Sequence, residues 1–372
     1  MYSSKNTGVG TWIREGFEKL VVQNMLAADS ILYSYSQEGL SPQGSIKKIR
    51  LPSLLEVIFE RTLSLHRIVW NFFFLPYISR RFNLVFSFSS HGSPFAKNQI
   101  IIIHDLICFA FPKQHRAQYF YFKYLLPHII KSCIKIVTVS EYTKKEVMKY
   151  YRVSPDKIEV IYGAADHVQK AASALIPQPE QHIVERLTGK QFFLAVGASY
   201  KHKNIETLIA AMELLNNDNL LVIVGADTAY YRFLKQQHPS KQILFLSYVS
   251  LPMLGYLYKH CIANVYVSLY EGMGLPPYEA AVYNTVTIAS NRTAIPEIYG
   301  DALYYVDPLD VNEISYALSL FSSGKVDKEQ YQSRFPAILQ KYTWWQTTTK
   351  LAALISQEAQ QASADSALSE VN

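Results

Sequence analysis

Cysteine, charged residues and long apolar segments are all scarce in this sequence of 372 residues. Its 3 cysteines lie far apart within apolar runs, which excludes a disulfide framework and is typical of buried thiols in a reducing compartment. Charge or proline interrupts the apolar runs well before the ~20 residues that a membrane-spanning helix needs. Residues 1–10 are polar where a secretory signal would be apolar. We therefore expect a cytoplasmic protein without a transmembrane anchor.

The signatures of several binding functions are also missing. No zinc-ligand spacing or aromatic RNA-binding motif is present, and the lysines and arginines are scattered, so we expect no nucleic-acid partner. An Asp-x-Asp motif is absent too, and we expect no essential metal and no cofactor. The net charge of +6 is consistent with a phosphate-bearing ligand and with an anionic membrane surface, and it does not distinguish between these partners.

The remaining composition is that of a large globular protein. Hydrophobic residues make up 49% of the sequence and charged residues 18%, which provides enough apolar material for a core. The length exceeds that of one ordinary domain and predicts two domains of roughly 150 to 200 residues. Predicted buried strands, at residues 100–103, 136–139, 192–196, 220–226 and 243–246, alternate with predicted helices. This pattern predicts an α/β protein with two doubly wound lobes.

The domain boundaries follow from this alternation. We predict a first lobe at residues 1–170, a proline-containing linker at 171–189, and a second lobe at 190–342. A helix is predicted at residues 343–361. Residues 362–372 are rich in alanine, serine and acid with nothing to bury, and we predict that they form a disordered tail.

A glycine loop in the second lobe is the strongest candidate for a binding site. An apolar run at residues 263–269 stops at the sequence YEGMGLPPYEA, residues 270–280, within which a helix is predicted to begin. The glycines let backbone amides approach a ligand closely, and the positive end of the helix favours an anion. Glu271 and Glu279 lie eight residues apart, so both could face one pocket. Stabilisation of the helix dipole would equally account for Glu279.

Two other residues lie where parallel α/β sheets bind ligands. Lys203 lies at the start of a predicted helix, where its ammonium group repels the helix dipole unless an anion lies between them. A solvated lysine in a basic loop is the alternative. His104 follows the predicted strand at residues 100–103, and ligands gather at the carboxyl ends of such strands. Capping of the strand end is the alternative for His104.

Together these motifs resemble the retaining glycosyltransferases of family 4, group 1, and within them bacterial mannosyltransferases. The Glu-x7-Glu loop carries the resemblance, which continues through residues 289–298 and 300–308 in the family's order of serine, proline-glutamate, glycine-aspartate and aspartate-proline. Three residues depart from the family pattern: Met273 replaces phenylalanine, Asn284 replaces glycine and Val286 replaces proline. Because asparagine tolerates a left-handed turn, we expect the fold to accommodate Asn284.

The resemblance implies the GT-B architecture, in which two Rossmann-like, doubly wound lobes face a central cleft and a C-terminal helix crosses back to the first lobe. It also implies roles for individual residues. His104, Glu271 and Lys203 would be catalytic, with His104 and Glu271 facing the transferred sugar and Lys203 facing the diphosphate. The residues implied in donor binding are Gly8, Gly10, Asn204, Gly272, Met273, Gly274, Leu275 and Glu279.

The activity implied by the resemblance is retaining transfer of a hexose, with mannose favoured, from a nucleotide-diphosphate sugar. GDP-mannose is the favoured donor, and the acceptor would be a glycan or lipid-linked saccharide in polysaccharide or lipopolysaccharide biosynthesis. Positive charge facing the leaving group would supply most of the catalysis. Two alternatives remain open: a GT-B sugar-nucleotide epimerase, which would consume the donor without an acceptor, and a non-catalytic scaffold, which would bind the donor without turnover.

The N-terminus carries a separate expectation. In the family a first strand precedes the loop that contains Gly8 and Gly10, but the seven residues before Gly8 have no strand character. We expect the missing strand to be encoded in frame upstream of Met1, because a sheet without a central strand would leave backbone groups unpaired.

Two segments of the first lobe, residues 65–81 and 113–135, combine aromatic and basic side chains. Packing of these aromatic side chains against a sheet is one interpretation. The other is a surface that enters a membrane interface, where aromatic and cationic side chains are both favoured. The second interpretation predicts peripheral contact with the inner face of a membrane.

Overall fold

The computed structural model divides the chain into two compact units, one containing residues 1–164 and 344–372, the other residues 165–343. The described residues are 15–16, 19–20, 25, 31–34, 47–50, 69–171 and 175–371. Gly8, Gly10 and the expected strand before them lie outside the described residues. The C-terminal helix therefore belongs to the same compact unit as the N-terminal half of the chain.

The first unit contains two parallel sheets among its described residues. One is a pair, β1 (Ile31–Ser34) and β2 (Lys47–Arg50). The other has the strand order β3-β4-β5-β6 and contains β3 (Val85–Ser87), β4 (Gln99–Ile103), β5 (Cys133–Thr138) and β6 (Ile158–Val160). The described helical segments are Trp70–Phe74 and Tyr121–Leu125, which are π-helical, and Leu75–Ser79, Ile107–Ala110, Arg116–Phe120, Leu126–Ser132, Glu141–Tyr151 and Trp344–Val371.

The core of the first unit forms around β4, in which every residue is buried. A continuous apolar run of this kind is typical of a parallel strand that is covered on both faces. Ser140 begins the helix that follows β5, because its Oγ atom accepts a hydrogen bond of 3.1 Å from the backbone N–H of Thr143. Thr347 of the C-terminal helix donates a hydrogen bond of 2.8 Å to the carbonyl of Tyr162.

The second unit is built on six parallel strands in the order β12-β11-β10-β7-β8-β9. The strands are β7 (Phe192–Val196), β8 (Leu220–Val224), β9 (Ile243–Leu246), β10 (Asn264–Tyr266), β11 (Thr287–Ser290) and β12 (Tyr304–Val306). This order is that of a doubly wound dinucleotide-binding sheet, and it reverses between β7 and β10. The predicted doubly wound α/β lobe is thereby confirmed for the second unit.

Helices cover both faces of this sheet. Ile205–Leu214 and Val311–Ser322 contribute to the core on one face, and Gln181–Leu187 and Leu251–His260 to the core on the other. The remaining described α-helices of the unit are Ala229–Gln237, Pro276–Val282, Ile295–Tyr299, Glu329–Gln332 and Phe335–Lys341. The sheet is therefore a rigid base for the loops at its carboxyl edge.

The predicted linker at residues 171–189 differs from the structure. Its C-terminal part forms the helix Gln181–Leu187, and Ile183 and Leu187 are buried in the core of the second unit. These two residues are four positions apart and so lie on one face of the helix. The spacing of Ile183 and Leu187 therefore indicates a packed helix, despite the prolines that precede it.

The predicted disordered tail at residues 362–372 also differs from the structure, because the helix Trp344–Val371 extends through it. Alanine has the highest helix propensity, and neither glycine nor proline interrupts this segment. Across the described residues, no helix combines the length and the apolar character that crossing a membrane requires.

Candidate functional site

The candidate site lies where the strand order of the six-stranded sheet reverses. The loops that follow β7 and β10 lead away from each other at this point, which leaves a crevice at the carboxyl edge of the sheet. Lys203 follows β7, and Glu271 follows β10. The fold thus brings together two charged residues that are 68 positions apart in the sequence.

Lys203 and Glu271 form a largely buried ion pair. The Nζ atom of Lys203 lies 2.5 Å from Oε1 of Glu271, and the two side chains are 16% and 12% exposed. The same Nζ atom donates a hydrogen bond of 3.0 Å to the hydroxyl of Tyr266, and lies 5.1 Å from the centroid of its ring. The ammonium group is thereby fixed between a carboxylate and an aromatic face.

The charge state of Glu271 follows from its neighbours. Burial alone would raise the pKa of this carboxyl group. The charge of Lys203, together with the hydrogen bond from its ammonium group and an electrostatic contribution from His202, outweighs burial and holds the pKa below its ordinary value. Glu271 is therefore a carboxylate at neutral pH, and it neutralises the ammonium group of Lys203.

Glu279, in the first turn of the helix Pro276–Val282, has the opposite shift. Burial raises its pKa, and the hydrogen bond from Tyr258 and the charge of Lys203 only partly oppose this effect. The Tyr258 hydroxyl donates that hydrogen bond to Oε2 over 2.9 Å. Lys203 lowers the pKa of both carboxyl groups, more strongly for Glu271, to which it donates a hydrogen bond.

Hydrogen bonds to neighbouring loops position the segment that carries Glu271. The backbone N–H of Leu269 and the hydroxyl of Ser268 both donate to the carbonyl of His202, over 2.8 and 3.1 Å. The N–H of Glu271 itself donates to the hydroxyl of Thr293 over 3.1 Å. The loop after β10 is thus fixed directly to the loop that carries Lys203.

Gly274 is the loop glycine whose conformation requires the absence of a side chain. Its φ of +76° is left-handed, and a Cβ atom there would lie 3.1 Å from the ring of Tyr266. The hydroxyl of Tyr299 donates to the carbonyl of Gly274 over 2.5 Å. Gly272 lies in the same turn without a left-handed φ, so the two predicted glycines have different structural roles.

Three other residues with a predicted role in donor binding, Asn204, Met273 and Leu275, lie in the loops around this ion pair. The side-chain amide of Asn204 donates to the carbonyls of Val267 and Pro308 over 3.2 and 2.6 Å, and its oxygen accepts from Thr207 over 2.7 Å. Asn204 therefore holds the loops after β7, β10 and β12 together. Met273 is buried and Leu275 is partly buried.

His104 lies in the first unit, directly after β4. Burial lowers its pKa to about 4, although the hydrogen bond to the carbonyl of Phe88 acts in the opposite direction. The imidazole is therefore neutral at pH 7. Its Nε2 atom carries the proton and donates it to the Phe88 carbonyl over 3.1 Å.

Two tyrosines of the site were missed by the sequence analysis. Tyr266 lies at the end of β10 beneath Lys203, and Tyr258 lies on the helix Leu251–His260 against Glu279. A tyrosine at the end of a buried strand that precedes a glycine loop is a signal that could have identified Tyr266. No local pattern connects Tyr258 with Glu279, because the contact depends on the packing of two helices.

The departure from the family pattern at Asn284 is accommodated as expected. Asn284 adopts a φ of 57°, in the left-handed region that glycine would otherwise occupy. Among the described residues, no group of three or more histidine, cysteine or acidic side chains is arranged to hold a metal ion.

Comparison with known proteins identifies relatives of both units. The family Glycosyl transferases group 1 matches residues 177–334, and Glycosyltransferase Family 4 matches residues 32–169. The chain is 33% identical over 224 residues to the O-antigen chain mannosyltransferase RfbU of Salmonella typhimurium. The aligned residues make up 59% of this chain and 60% of that protein. It is 26% identical over 262 residues to the O-antigen chain mannosyltransferase B of Escherichia coli, and the aligned residues make up 68% of each protein. The chain therefore matches only part of the length of these relatives.

The fold of the chain is also similar to that of solved structures. The α,α-trehalose 6-phosphate synthase of Burkholderia multivorans superimposes with a TM-score of 0.71 at 13% identity, over 98% of this chain and 96% of that protein. A likeness at this identity shows the fold alone. The predicted GT-B fold class is thereby confirmed.

Proposed function

Because the chain belongs to the glycosyltransferases of family 4, group 1, we propose that it is a retaining hexosyltransferase that transfers mannose from a nucleotide-diphosphate sugar. The observation that carries this proposal is the largely buried ion pair of Lys203 and Glu271 at the switch point of a doubly wound sheet. The ammonium group of this lysine can form an ion pair with the diphosphate of a nucleotide sugar. The curated relatives support mannose as the sugar and a bacterial polysaccharide as the acceptor.

In the proposed reaction, Lys203 exchanges its partner when the donor binds. Its ammonium group leaves Oε1 of Glu271 for an oxygen of the diphosphate, where it stabilises the charge that develops on the leaving group. Glu271, released from Lys203, accepts hydrogen bonds from hydroxyls of the transferred sugar. Glu279, oriented by Tyr258, accepts from the ribose. The leaving phosphate takes the proton of the acceptor hydroxyl on the same face of the sugar, so the configuration is retained.

A screen of GDP-, UDP- and ADP-sugars by thermal unfolding tests the donor. A ligand at ~100 times its dissociation constant stabilises a protein by about 2.7 kcal/mol, and we expect GDP-mannose to give the largest increase in Tm. Transfer to a saccharide acceptor should then release GDP and form an α-linked product. A protein that none of these donors stabilises would contradict the proposal. GDP-mannose consumption without an acceptor would instead identify an epimerase, and binding without turnover a scaffold.

We also propose that the first unit docks on an anionic membrane surface. Phe73, Phe74 and Tyr77, on the segment 70–79, are 72%, 53% and 60% exposed. Phe120 and Tyr124 are each 58% exposed, and their rings stack with centroids 6.1 Å apart. This exposure contradicts the interpretation that these side chains pack against a sheet. Clustered exposed aromatic side chains are typical of a surface that enters a lipid interface.

Cationic side chains lie among these aromatic residues. The guanidinium group of Arg81 lies 5.1 Å from the centroid of the Tyr77 ring and donates to its hydroxyl over 3.0 Å. The ammonium group of Lys123 lies 5.4 Å from the centroid of the Tyr124 ring. Arg80 is exposed beside Arg81. Each of these charges is expected to contribute about 1 kcal/mol of attraction to an anionic surface.

Cosedimentation with liposomes tests the membrane proposal. We expect the protein to sediment with phosphatidylglycerol liposomes at low salt and to be released at high salt, which screens the attraction. The variant R80A/R81A should bind about 30-fold more weakly, because it loses two cationic groups that contribute about 1 kcal/mol each. The variant K145A/K149A, which removes equal charge from the exposed face of the helix Glu141–Tyr151, is the control. Liposome binding that is absent at every salt concentration would contradict the proposal.

A further inference from the structure

A cavity of about 680 Å³ opens in the first unit, among residues that have no role in the proposed transfer reaction. Its apolar lining comes from Phe72, Pro94, Phe95 and Leu125, and its volume is in the range of small-molecule binding sites. Phe72 and Leu125 both lie on π-helical turns, which are frequent at functional sites. The rings of Phe72 and Phe95 meet edge to face with centroids 5.7 Å apart.

Hydrogen bonds fix the base of this cavity. Ser132, which lines it, accepts a hydrogen bond of 2.7 Å from the side-chain amide of Gln99 and donates one of 2.8 Å to the carbonyl of Ser93. The N–H of Ser93 donates to the oxygen of the same amide over 2.9 Å. A Cβ atom at Gly92 would lie 2.6 Å from that oxygen, so a side chain at this position would displace the Gln99 amide. The loop that carries Pro94 and Phe95 is thus held against the helix Leu126–Ser132, and the cavity is preformed.

The charges around the cavity define the ligand. Lys97, His128 and Lys131 are exposed and line it, and none of the described lining residues is acidic. Apolar walls with a basic rim suit a molecule that has an apolar part and an anionic group, and the basic side chains can pair with phosphate oxygens. A free inorganic anion would leave the apolar walls without a partner. The cavity therefore matches a phosphate-bearing amphiphile.

The position of the cavity indicates where such an amphiphile comes from. The segments that provide Phe72 and Leu125 also carry the exposed Phe73, Phe74 and Tyr124 of the proposed membrane surface. We propose that the cavity binds a single anionic phospholipid of the bilayer, with its phosphate against Lys97 and Lys131 and an acyl chain against Phe72 and Phe95. The inference builds on the proposed membrane docking and adds a saturable site to it.

Binding of monomeric dihexanoyl phosphatidylglycerol, measured by isothermal titration calorimetry below its critical micelle concentration, tests this site without a bilayer and without a sugar donor. We expect one molecule to bind per chain. The variant K97A/K131A should weaken this binding at least tenfold, because both side chains are exposed and their loss leaves the fold intact. The control K145A/K149A loses the same charge outside the cavity and should bind as the wild type does.

Three further ligands and one further variant separate the contributions of the phosphate and the acyl chain. Dihexanoyl phosphatidylcholine, which has no net charge, should bind at least tenfold more weakly. The variant F95S should weaken binding of the phosphatidylglycerol but leave the affinity for glycerol 3-phosphate unchanged. Inorganic phosphate that binds as tightly as the lipid would show a simple anion site and overturn the inference. Equal weakening by K145A/K149A, or binding that does not saturate, would show general electrostatic attraction and overturn it too.

The test of the lipid cavity can fail independently of the proposed membrane docking and of the proposed mannose transfer. Loss of lipid binding in K97A/K131A would support the cavity. Unchanged sedimentation of R80A/R81A with liposomes would count against the wider membrane surface. A protein that sediments with liposomes but does not bind the monomeric lipid would retain the membrane surface and overturn the cavity. Neither measurement depends on mannose transfer.

Discussion

Replacement of Lys203 by alanine is expected to lower kcat/KM by about 30- to 1,000-fold, which corresponds to ~2–4 kcal/mol of transition-state stabilisation. The ammonium group is the positive charge that the fold holds at the switch point, 2.5 Å from Glu271. Its loss removes the group that attracts the diphosphate and stabilises the leaving phosphate. Steady-state kinetics with saturating acceptor measures the effect, and K201A, an exposed neighbour in the same loop, is the matched control.

Loss of stability could produce the same result as loss of catalysis, because K203A leaves the buried carboxylate of Glu271 without its cationic partner. Removing one member of a buried pair typically costs about 3–5 kcal/mol of folding free energy. The double variant K203A/E271Q removes both charges and should recover most of that stability while remaining inactive. Turnover at the wild-type rate in folded K203A would exclude Lys203 from the site.

The variant E271Q is expected to separate nucleotide binding from turnover. We expect kcat to fall by about 100-fold or more, because Glu271 faces the sugar in the proposed complex and loses interactions that act in the transition state. The affinity for GDP should stay constant or rise, since Lys203 no longer has to leave a carboxylate before it binds the diphosphate. Titration calorimetry with GDP and steady-state kinetics measure the two quantities.

Glu279 provides the comparison for this prediction. E279Q should weaken binding of GDP and of the donor and leave kcat closer to the wild-type value, because the proposed partner of Glu279 is the ribose. Y258F, which removes the hydrogen bond of 2.9 Å to Glu279, should produce a weaker form of the same effect. The reverse pattern, with E271Q defective in GDP binding and E279Q defective in kcat, would show that the positions of the two acids in the pocket are interchanged.

Local chemistry in the sequence was sufficient to predict an α/β protein with doubly wound lobes, whereas the GT-B architecture was implied by the family resemblance. Continuous apolar runs such as Phe192–Val196 and Ile243–Leu246 became strands of the parallel sheet with the predicted bounds. Because strands of a parallel sheet are covered on both faces, they are continuously apolar and can be recognised from their own sequence without knowing which elements pack against them. The same holds for the hydroxyl of Ser140 at a helix start and for Asn284 in a left-handed turn, because both act within a few residues of their own position.

Contacts between distant residues were decided by the tertiary structure alone. The motifs identified Lys203 and Glu271 separately, but only the strand order, which reverses between β7 and β10, brings their charges together. The same applies to Tyr258 against Glu279, and to the amide of Asn204, which holds three loops together. A hydrogen bond requires two groups within about 3 Å, and the sequence does not contain that distance when the groups lie on different elements.

The direction of a side chain was the other property that the sequence left open. The sequence favoured a core over a surface for the aromatic residues around Phe73 but was consistent with both, because both environments accept large apolar side chains. The composition determined that these residues are large and apolar, and the tertiary structure determined that Phe73 and Phe74 are exposed.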